Sequence, residues 1–157
     1  TKTSASFAVP KDWKTYANKI RFYSISYPTT WSIDTSKAET PNPEENNTEL
    51  TIFKEQYRLT IYFPAFFGPA TCLFDDESKI GAPEIADRCE GKYIELNNSR
   101  RRLVTPIVLP DHVEWTIYSN DGNFFATIPP INYVAPLGYK VDQINTMDQI
   151  LSTFKSL

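Results

Sequence analysis

No pattern of residues in this sequence looks like an enzyme active site. Its one histidine, His112, follows Pro110-Asp111 where a predicted strand begins. A catalytic histidine needs a nucleophile or an acid beside it, and carboxylates clustered around it in a cleft would favour a hydrolase. No G-x-S-x-G elbow is present, and neither cysteine has the context of a free nucleophile. We therefore expect a surface or strand-edge histidine, and we predict no catalytic residue, no enzyme activity and no cofactor.

The two cysteines, Cys72 and Cys89, do not have the spacing of a metal site. No C-x-x-C motif occurs, and a single histidine cannot complete a zinc site. Two interpretations remain, a disulfide or two buried free thiols, and we favour the disulfide. Such a bridge would add roughly 3 kcal/mol of stability through the unfolded state. It would also imply an oxidising compartment.

An acidic stretch, residues 75–91, lies between the cysteines. Calcium loops commonly follow the pattern D-x-[DN]-x-[DN]-G, whereas Asp75-Asp76-Glu77-Ser78 lacks both the alternation and the glycine. We expect a solvated loop that buries little and that a disulfide would hold in place. If a metal binds here, the candidate ligands are Asp75, Asp76, Glu77, Glu84 and Asp87.

The one basic run is Arg100-Arg101-Arg102, within a predicted strand. Alternate side chains of a strand point to opposite faces, so at most two of these arginines can share a patch. Two are too few for a nucleic-acid surface. The run has two interpretations, ion pairing with the acidic stretch or contact with an anionic partner, and we favour ion pairing.

Aromatic residues are concentrated in the run Phe63-Pro-Ala-Phe-Phe67, which falls in a predicted loop. Most aromatic residues of this chain are expected in the core, but apolar residues are less expected in a loop. The run is therefore a candidate for a pocket lining or an interaction patch. Its candidate binding residues are Phe63, Phe66 and Phe67.

The composition limits the class of protein. The chain has 157 residues, is 41% hydrophobic and carries a formal charge of −3, which fits one domain with a real core and no binding of nucleic acid. No transmembrane or signal segment is visible. Residues 1–10 are predicted to be a flexible tether, with an added non-native segment as the alternative, and residues 11–157 a single domain. We expect a monomer that meets a membrane only through an upstream anchor.

Period-two alternation of apolar residues predicts most of the fold. It is clearest in Tyr23, Ile25 and Tyr27, which indicate a half-buried strand ending at Pro28. Residues 12–19 are predicted to be a lead-in with a turn or short helix, and Asn120-Asp121-Gly122 a hairpin turn. Residues 65–74 are predicted to be a loop. Further strands are predicted near residues 31–33, 50–52, 57–63, 93–96, 100–109 with a break at Pro106, 113–118 and 124–128.

The C-terminal segment changes to helical spacing. Ile144, Met147, Leu151 and Phe154 recur every three or four residues, which predicts an amphipathic helix over about 142–154 with Asp142 as its N-cap. Its apolar face should pack on the sheet. The predicted fold class is α+β: an antiparallel sheet with an N-terminal turn or short helix and this C-terminal helix packed on the sheet.

Two segments resemble PsbP-like domains of bacterial extracytoplasmic lipoproteins. Tyr23-Ser-Ile-Ser-Tyr-Pro-Thr-Thr-Trp31 resembles their F-x-[IF]-x-Y-P-x-x-W opening, and Met147-Asp-Gln-Ile-Leu-Ser-Thr-Phe-Lys155 resembles their closing helix. The resemblance implies an antiparallel sheet in an extracytoplasmic, often lipid-anchored protein. The acidic stretch and the cysteine pair depart from the family pattern. The motifs are scaffold positions, so they imply a fold and no chemistry.

The sequence therefore favours a non-enzymatic extracytoplasmic binding or assembly module, tethered through a missing N-terminal segment. Its expected partner is a protein or cell-envelope material. The alternative is a small-ligand or metal-binding domain that uses the concavity of the sheet or the acidic 75–90 loop. A fully packed sheet with an exposed apolar patch would favour the first hypothesis, and a wide apolar cavity ringed by a few polar groups would favour the second.

Overall fold

A computed structural model describes residues 7–38, 48–63, 67–69, 91–96, 100–119, 125–127 and 131–157. Within these ranges the chain forms one helix, α1 (Val141–Ser152), and thirteen strands. The strands are β1 (Lys14–Asn18), β2 (Tyr23–Tyr27), β3 (Ser32–Asp34), β4 (Thr48–Lys54), β5 (Tyr57–Phe63), β6 (Phe67–Pro69), β7 (Tyr93–Glu95), β8 (Arg100–Leu103), β9 (Ile107–Val108), β10 (Val113–Ser119), β11 (Phe125–Thr127), β12 (Ile131–Ala135) and β13 (Lys155–Ser156).

The strands pair antiparallel, as the alternation predicts, but they form three sheets where the sequence predicted one. The large sheet has the order β3-β4-β5-β12-β10-β8-β7, with β9 beside β10. A small sheet has the order β1-β2-β13, and β6 pairs with β11 in a two-stranded ribbon. The prediction of a mostly antiparallel α+β fold with a C-terminal helix is confirmed.

The core lies on one face of the large sheet. Antiparallel neighbours place the row Ile52, Leu59, Tyr133 and Trp115 side by side on this face, and all four are buried. Apolar residues of α1 and of the small sheet belong to the same hydrophobic cluster. The opposite face carries a polar row across the same four strands, formed by Thr51, Thr60, Asn132 and Thr116.

The predicted half-buried strand is buried on both faces. All five residues of β2 are buried, including Ser24 and Ser26, and β1 and β13 pair with its two edges. The end of α1 adds a further contact: the Ser26 amide donates to Thr153 Oγ1 at 2.8 Å. The Ser26 hydroxyl bonds Thr15 Oγ1 at the same distance. Small polar residues fit these positions because each finds a partner.

The prediction of an N-terminal turn or short helix over residues 12–19 is wrong, because β1 occupies this segment. Tyr16 lies opposite Ile25, and Asn18 is the buried end of the strand. The Asn18 amide group donates to the Ala38 carbonyl, and its Oδ1 accepts from the amides of Ile20 and Arg21. A strand satisfies the backbone of a segment this short through β2, whereas so short a helix is marginal.

The C-terminal helix begins at Val141, and its N-cap is Lys140, which makes no side-chain capping bond. The prediction of Asp142 as the N-cap is wrong, although its charge still lies in the favourable first turn. Phe154 is buried just beyond the helix, where the chain turns into β13 beside β2. No helix in the described ranges is both long and apolar enough to span a membrane.

The central strand β12 was missed by the sequence analysis. It pairs with both β5 and β10, and its alternate residues Ile131, Tyr133 and Ala135 are buried. The return strand predicted at 124–128 is present as β11, but it pairs with β6. The predicted 65–74 loop therefore contains a three-residue strand, β6. The predicted turn Asn120-Asp121-Gly122 lies outside the described residues. The interruption predicted at Pro106 separates β8 from β9.

Candidate functional site

Three connecting segments lie at one end of the large sheet. The register places Tyr57, Ala135, Val113 and Val108 in a row across the sheet at the point where β5 begins and β12 ends. The segments beyond this row are the β4–β5 turn (55–56), the β9–β10 loop (109–112) and the β12–α1 connection (136–140). We call this group, with the adjoining residues of β9 and the first residue of α1, the hairpin end.

A polar cavity of about 340 Å³ lies at the hairpin end. Polar side chains of the β4–β5 turn, of β5 and of the β9–β10 loop form most of its wall. The end of β12 and Pro136 supply the apolar part. The lining residues are Glu55, Gln56, Arg58, Asp111, His112, Val134, Ala135 and Pro136. The described residues of this lining include no serine, threonine or cysteine.

The imidazole of His112 lies between two carboxylates. Its Nδ1 is 2.6 Å from Asp111 Oδ1, and its Nε2 is 2.8 Å from Glu114 Oε1. The bond to Glu114 and then the bond to Asp111 raise the pKa of His112 above its ordinary value of 6.5. Only the protonated ring donates from both nitrogens. The raised pKa and the two carboxylates favour the protonated ring, which has no free lone pair with which to act as a base.

A second cavity of about 240 Å³ lies on the other side of the β4–β5 turn. Glu55 lines both cavities. Its backbone φ is 53°, a value that residues other than glycine rarely adopt. The turn contacts the start of the helix, since the Lys140 amide donates to Tyr57 Oη at 2.9 Å. This bond ties the β4–β5 turn to the β12–α1 connection.

The hairpin end also carries exposed apolar side chains. Val108 is 69% exposed, Leu137 is 51% exposed and Val141, the first residue of the helix, is 65% exposed. Ile107 of the same two-residue strand is also exposed. Burying such side chains against a partner would release about 25 cal/mol for each Å² of apolar surface. The hairpin end therefore combines apolar contact area with fixed charges.

The arginine run forms a second candidate site, within the sheet. As the strand period predicts, Arg101 points away from Arg100 and Arg102. Arg101 lies on the outer face, where it pairs with Glu95 at 3.3 Å and its guanidinium lies 5.0 Å from the Tyr93 ring centre. Arg100 and Arg102 face the core and are buried. Residues 75–90 of the acidic stretch lie outside the described residues, so ion pairing of the arginine run with this stretch stays a prediction.

The guanidinium of Arg102 finds hydrogen-bond acceptors on the helix. Its Nε and Nη2 donate to the two carboxylate oxygens of Asp148 at 2.9 and 2.7 Å, and Tyr133 Oη donates to Asp148 at 3.1 Å. Burial lowers the pKa of Arg102, but the bonds and charge of Asp148 outweigh it and raise that pKa overall. Burial, then the charge of Asp148, raise the pKa of Tyr133 well above its ordinary value. Tyr133 is therefore a neutral donor.

Arg100 has no such partner among the described residues. It is only 8% exposed, and its Nε and Nη1 are buried without a hydrogen-bond acceptor. Its guanidinium carbon lies 4.8 Å from the centre of the Phe154 ring. Burial lowers the pKa of Arg100, but guanidinium groups stay charged in proteins. An unpaired charge in the core is costly and marks this position as unusual.

The remaining predicted site residues are not placed by the structure. Phe63 ends β5 and Phe67 begins β6, and nothing is described of their side chains. No cluster of three or more potential metal ligands occurs within the described ranges. The other predicted positions lie outside the described residues, namely Phe66, Cys72, Asp75, Asp76, Glu77, Glu84, Asp87 and Cys89.

Sequence reasoning missed Asp148, the acceptor for Arg102. A signal was present, because Asp148 lies four residues after Ile144 and three before Leu151, on the apolar side of the helix. The carboxylates beside His112 were also within reach, since Asp111 and Glu114 are its near neighbours in sequence. Glu55 and Arg58 came to the site through strand pairing, which no local pattern indicates.

The described residues define an α+β protein built mostly of antiparallel strands. No protein-family model matches the chain, and no curated protein matches it. Among solved structures it is similar to cyanobacterial PsbP (CyanoP) from Synechocystis sp. PCC 6803, known from a solution structure. The two chains share 9% identity with a TM-score of 0.43, over 99% of this chain and 98% of that one. A likeness at this level carries no functional argument.

Proposed function

We propose that this chain is a non-enzymatic binding or assembly module that docks a protein partner at the hairpin end. The observation that carries the proposal is the set of exposed apolar residues Val108, Leu137 and Val141 beside two polar cavities. Protein interfaces combine apolar contact area with polar and charged groups, and the hairpin end offers both.

A protein partner fits this surface better than a small ligand. Small-molecule sites are mostly apolar inside and bury most of the ligand surface. Here the polarity is reversed, since the larger cavity is lined by Glu55, Arg58, Asp111 and His112 while the apolar residues lie outside it. A partner segment can bury the apolar residues and pair its own charged side chains with those of the cavity.

The non-enzymatic part of the proposal rests on His112. A hydrolase would use this ring as a base toward a nucleophile, but Asp111 and Glu114 occupy both ring nitrogens. The charged ring instead fixes the β9–β10 loop against the start of β10. The carboxylates and the cleft that would favour a hydrolase are present, but no hydroxyl or thiol nucleophile occurs among the described residues that line the cavity.

In this proposal the module is a PsbP-like domain that works outside the cytoplasm. It is attached through an upstream segment. The support is the cysteine pair, the polar opening residues, and the two segments that resemble PsbP-like domains. Tyr23, Ile25, Tyr27 and Trp31 of the first segment are all buried, which fits scaffold positions. Intact mass measured without reductant on protein from its source tests the compartment: a Cys72–Cys89 disulfide supports it, and two free thiols contradict it.

The docking surface is tested by photo-crosslinking in the cells that make this protein. A photoreactive amino acid at Val108 should give one discrete adduct, since Val108 lies in the proposed interface. The same amino acid at Phe22, an equally exposed apolar position in the β1–β2 turn, is the matched control and should give none. The adduct is identified by mass spectrometry, and the captured protein is purified.

The affinity of the purified partner then decides the outcome. Val108→Asp should weaken binding by about tenfold or more, because it places a charge in the apolar part of the interface. Phe22→Asp should leave the affinity unchanged. Equal effects of the two substitutions, or binding that neither one changes, would contradict docking at the hairpin end. The small-ligand alternative is supported by a different observation, the unpaired charge of Arg100.

A further inference from the structure

We propose that Arg100 forms a buried binding site for a small monovalent carboxylate. The site is separate from the hairpin end and does not depend on the function proposed for it. Arg100 enters the core from β8, with the Phe154 ring against its guanidinium. What the described residues lack at this position is an anion.

The charge balance of the described core favours an anion at Arg100. Among the described residues of this cluster the charged groups are Arg100, Arg102 and Asp148, which together carry one excess positive charge. The oxygens of Asp148 are already engaged, since Oδ1 accepts from Arg102 and Tyr133 and Oδ2 accepts from Arg102. Tyr133 is neutral and donates its hydrogen. Asp148 therefore does not neutralise Arg100 as well, and one more negative charge would balance the cluster.

The geometry of the Arg100 donors favours a carboxylate as the ligand. Phe154 lies against the guanidinium at 4.8 Å, and Nε and Nη1 are the buried atoms that lack acceptors. A ring beneath the cation attracts its charge but accepts no hydrogen bond from its N–H groups. A carboxylate fits a guanidinium through parallel N–H···O bonds, and Arg102 shows this arrangement with Asp148 two residues away on the same strand face.

The surroundings of Arg100 favour a ligand that is monovalent and small. A doubly charged phosphate would convert the excess of one positive charge into an excess of one negative charge in the core, so a monovalent anion is favoured. Arg100 keeps 8% of its surface exposed, against 3% for Arg102. So little exposed surface favours a small ligand, and acetate is the carboxylate that we propose as the probe.

The test is the melting temperature of the protein in sodium acetate against sodium chloride at equal ionic strength. Acetate should raise the melting temperature saturably, by roughly 5–10 °C at about 100 times its dissociation constant. Arg100→Met should abolish this response. Arg101→Met is the matched control on the outer face and should keep it. An Arg100→Met protein that responds like the natural one would overturn the proposal.

A second measurement uses the natural protein and therefore does not require that the Arg100→Met variant folds. In ¹H–¹⁵N spectra of the natural protein, the Nε–H signal of Arg100 should shift saturably with acetate, while that of Arg102, already bonded to Asp148, should stay nearly fixed. A natural protein whose Arg100 signal and melting temperature are both insensitive to acetate would overturn the site. Its acceptor would then come from the chain itself.

Discussion

At the scale of single residues, the most demanding feature is the partly buried Asp148 carboxylate. It is the acceptor for Arg102 and for the Tyr133 hydroxyl. Asp148→Asn keeps the shape but removes the charge, so Arg102 becomes an unpaired buried cation beside Arg100. We expect a loss of about 3–5 kcal/mol in the free energy of unfolding. Denaturant unfolding followed by fluorescence or circular dichroism measures this loss.

The matched control for this prediction is Asp12→Asn. Asp12 is an exposed aspartate, so its substitution should change the unfolding free energy by no more than about 0.5 kcal/mol. If Asp148→Asn were no more destabilising than Asp12→Asn, Asp148 would not be neutralising a buried charge. The assignment of a net positive cluster in the core would then fail.

The state of His112 gives a second residue-scale prediction. Its pKa is raised by the bond to Glu114 and then by the bond to Asp111, so an NMR titration of this one histidine should have its midpoint above 6.5. Glu114→Gln should lower the midpoint more than Asp111→Asn, because Glu114 is the larger cause. A midpoint at or below 6.5 in the natural protein would show that the bonds to the two carboxylates do not hold in solution.

The same shift sets the sign of the dependence of stability on pH. Protonation of His112 is favoured in the folded state, so its contribution is fully present below the unfolded pKa of about 6.5. The contribution is lost as the pH rises through the higher folded pKa. The difference in unfolding free energy between the natural protein and His112→Gln should therefore be largest below pH 6.5 and shrink in alkaline solution.

At the scale of elements, Thr153 joins the end of the helix to the small sheet. Its hydroxyl accepts from the Ser26 amide at 2.8 Å and lies 2.7 Å from the Ile150 carbonyl. Thr153→Val keeps the shape but leaves the Ser26 amide without its partner, which should cost about 1–3 kcal/mol. Thr146→Val is the matched control, because its hydroxyl bonds the exposed Asp142 carbonyl of the same helix. Equal losses from the two variants would contradict a joining role for Thr153.

Elements defined by a local period could be predicted from the sequence. The strand Tyr23–Tyr27 and the helix at Val141–Ser152 follow from their apolar spacing, and the hairpin of β4 and β5 follows from two alternating runs around a polar turn. The central strand β12 was missed because it is short, follows Pro129-Pro130, and owes its position to partners far away in sequence. Such long-range pairing leaves no local signal.

The same limit applies to the sites. That Arg100 and Arg102 share a face could be predicted from the strand period alone. Their acceptors could not, because Asp148 is 46 positions from Arg102 and reaches it through the packing of the helix. The hairpin end is a further case, since the β4–β5 turn and the β9–β10 loop become neighbours only when β12 pairs between their strands.

At the scale of the whole molecule, two sheets and one helix share a single core. The helix contacts the small sheet through Thr153 and the large sheet through Asp148, so its packing position is fixed from both sides. The described apolar residues of β5, β10 and β12 that face the helix are buried. The exposed apolar groups at the hairpin end therefore remain available to a partner, and this is the basis of the proposed function.

The most direct test of this account is the set of amide signals that shift when the purified partner is added to ¹⁵N-labelled protein. The account predicts shifts at the hairpin end, in residues 55–56, 107–112 and 136–141, with the small sheet unchanged. Shifts centred on β1, β2 and the polar row Thr51, Thr60, Asn132 and Thr116, with the hairpin end silent, would contradict it.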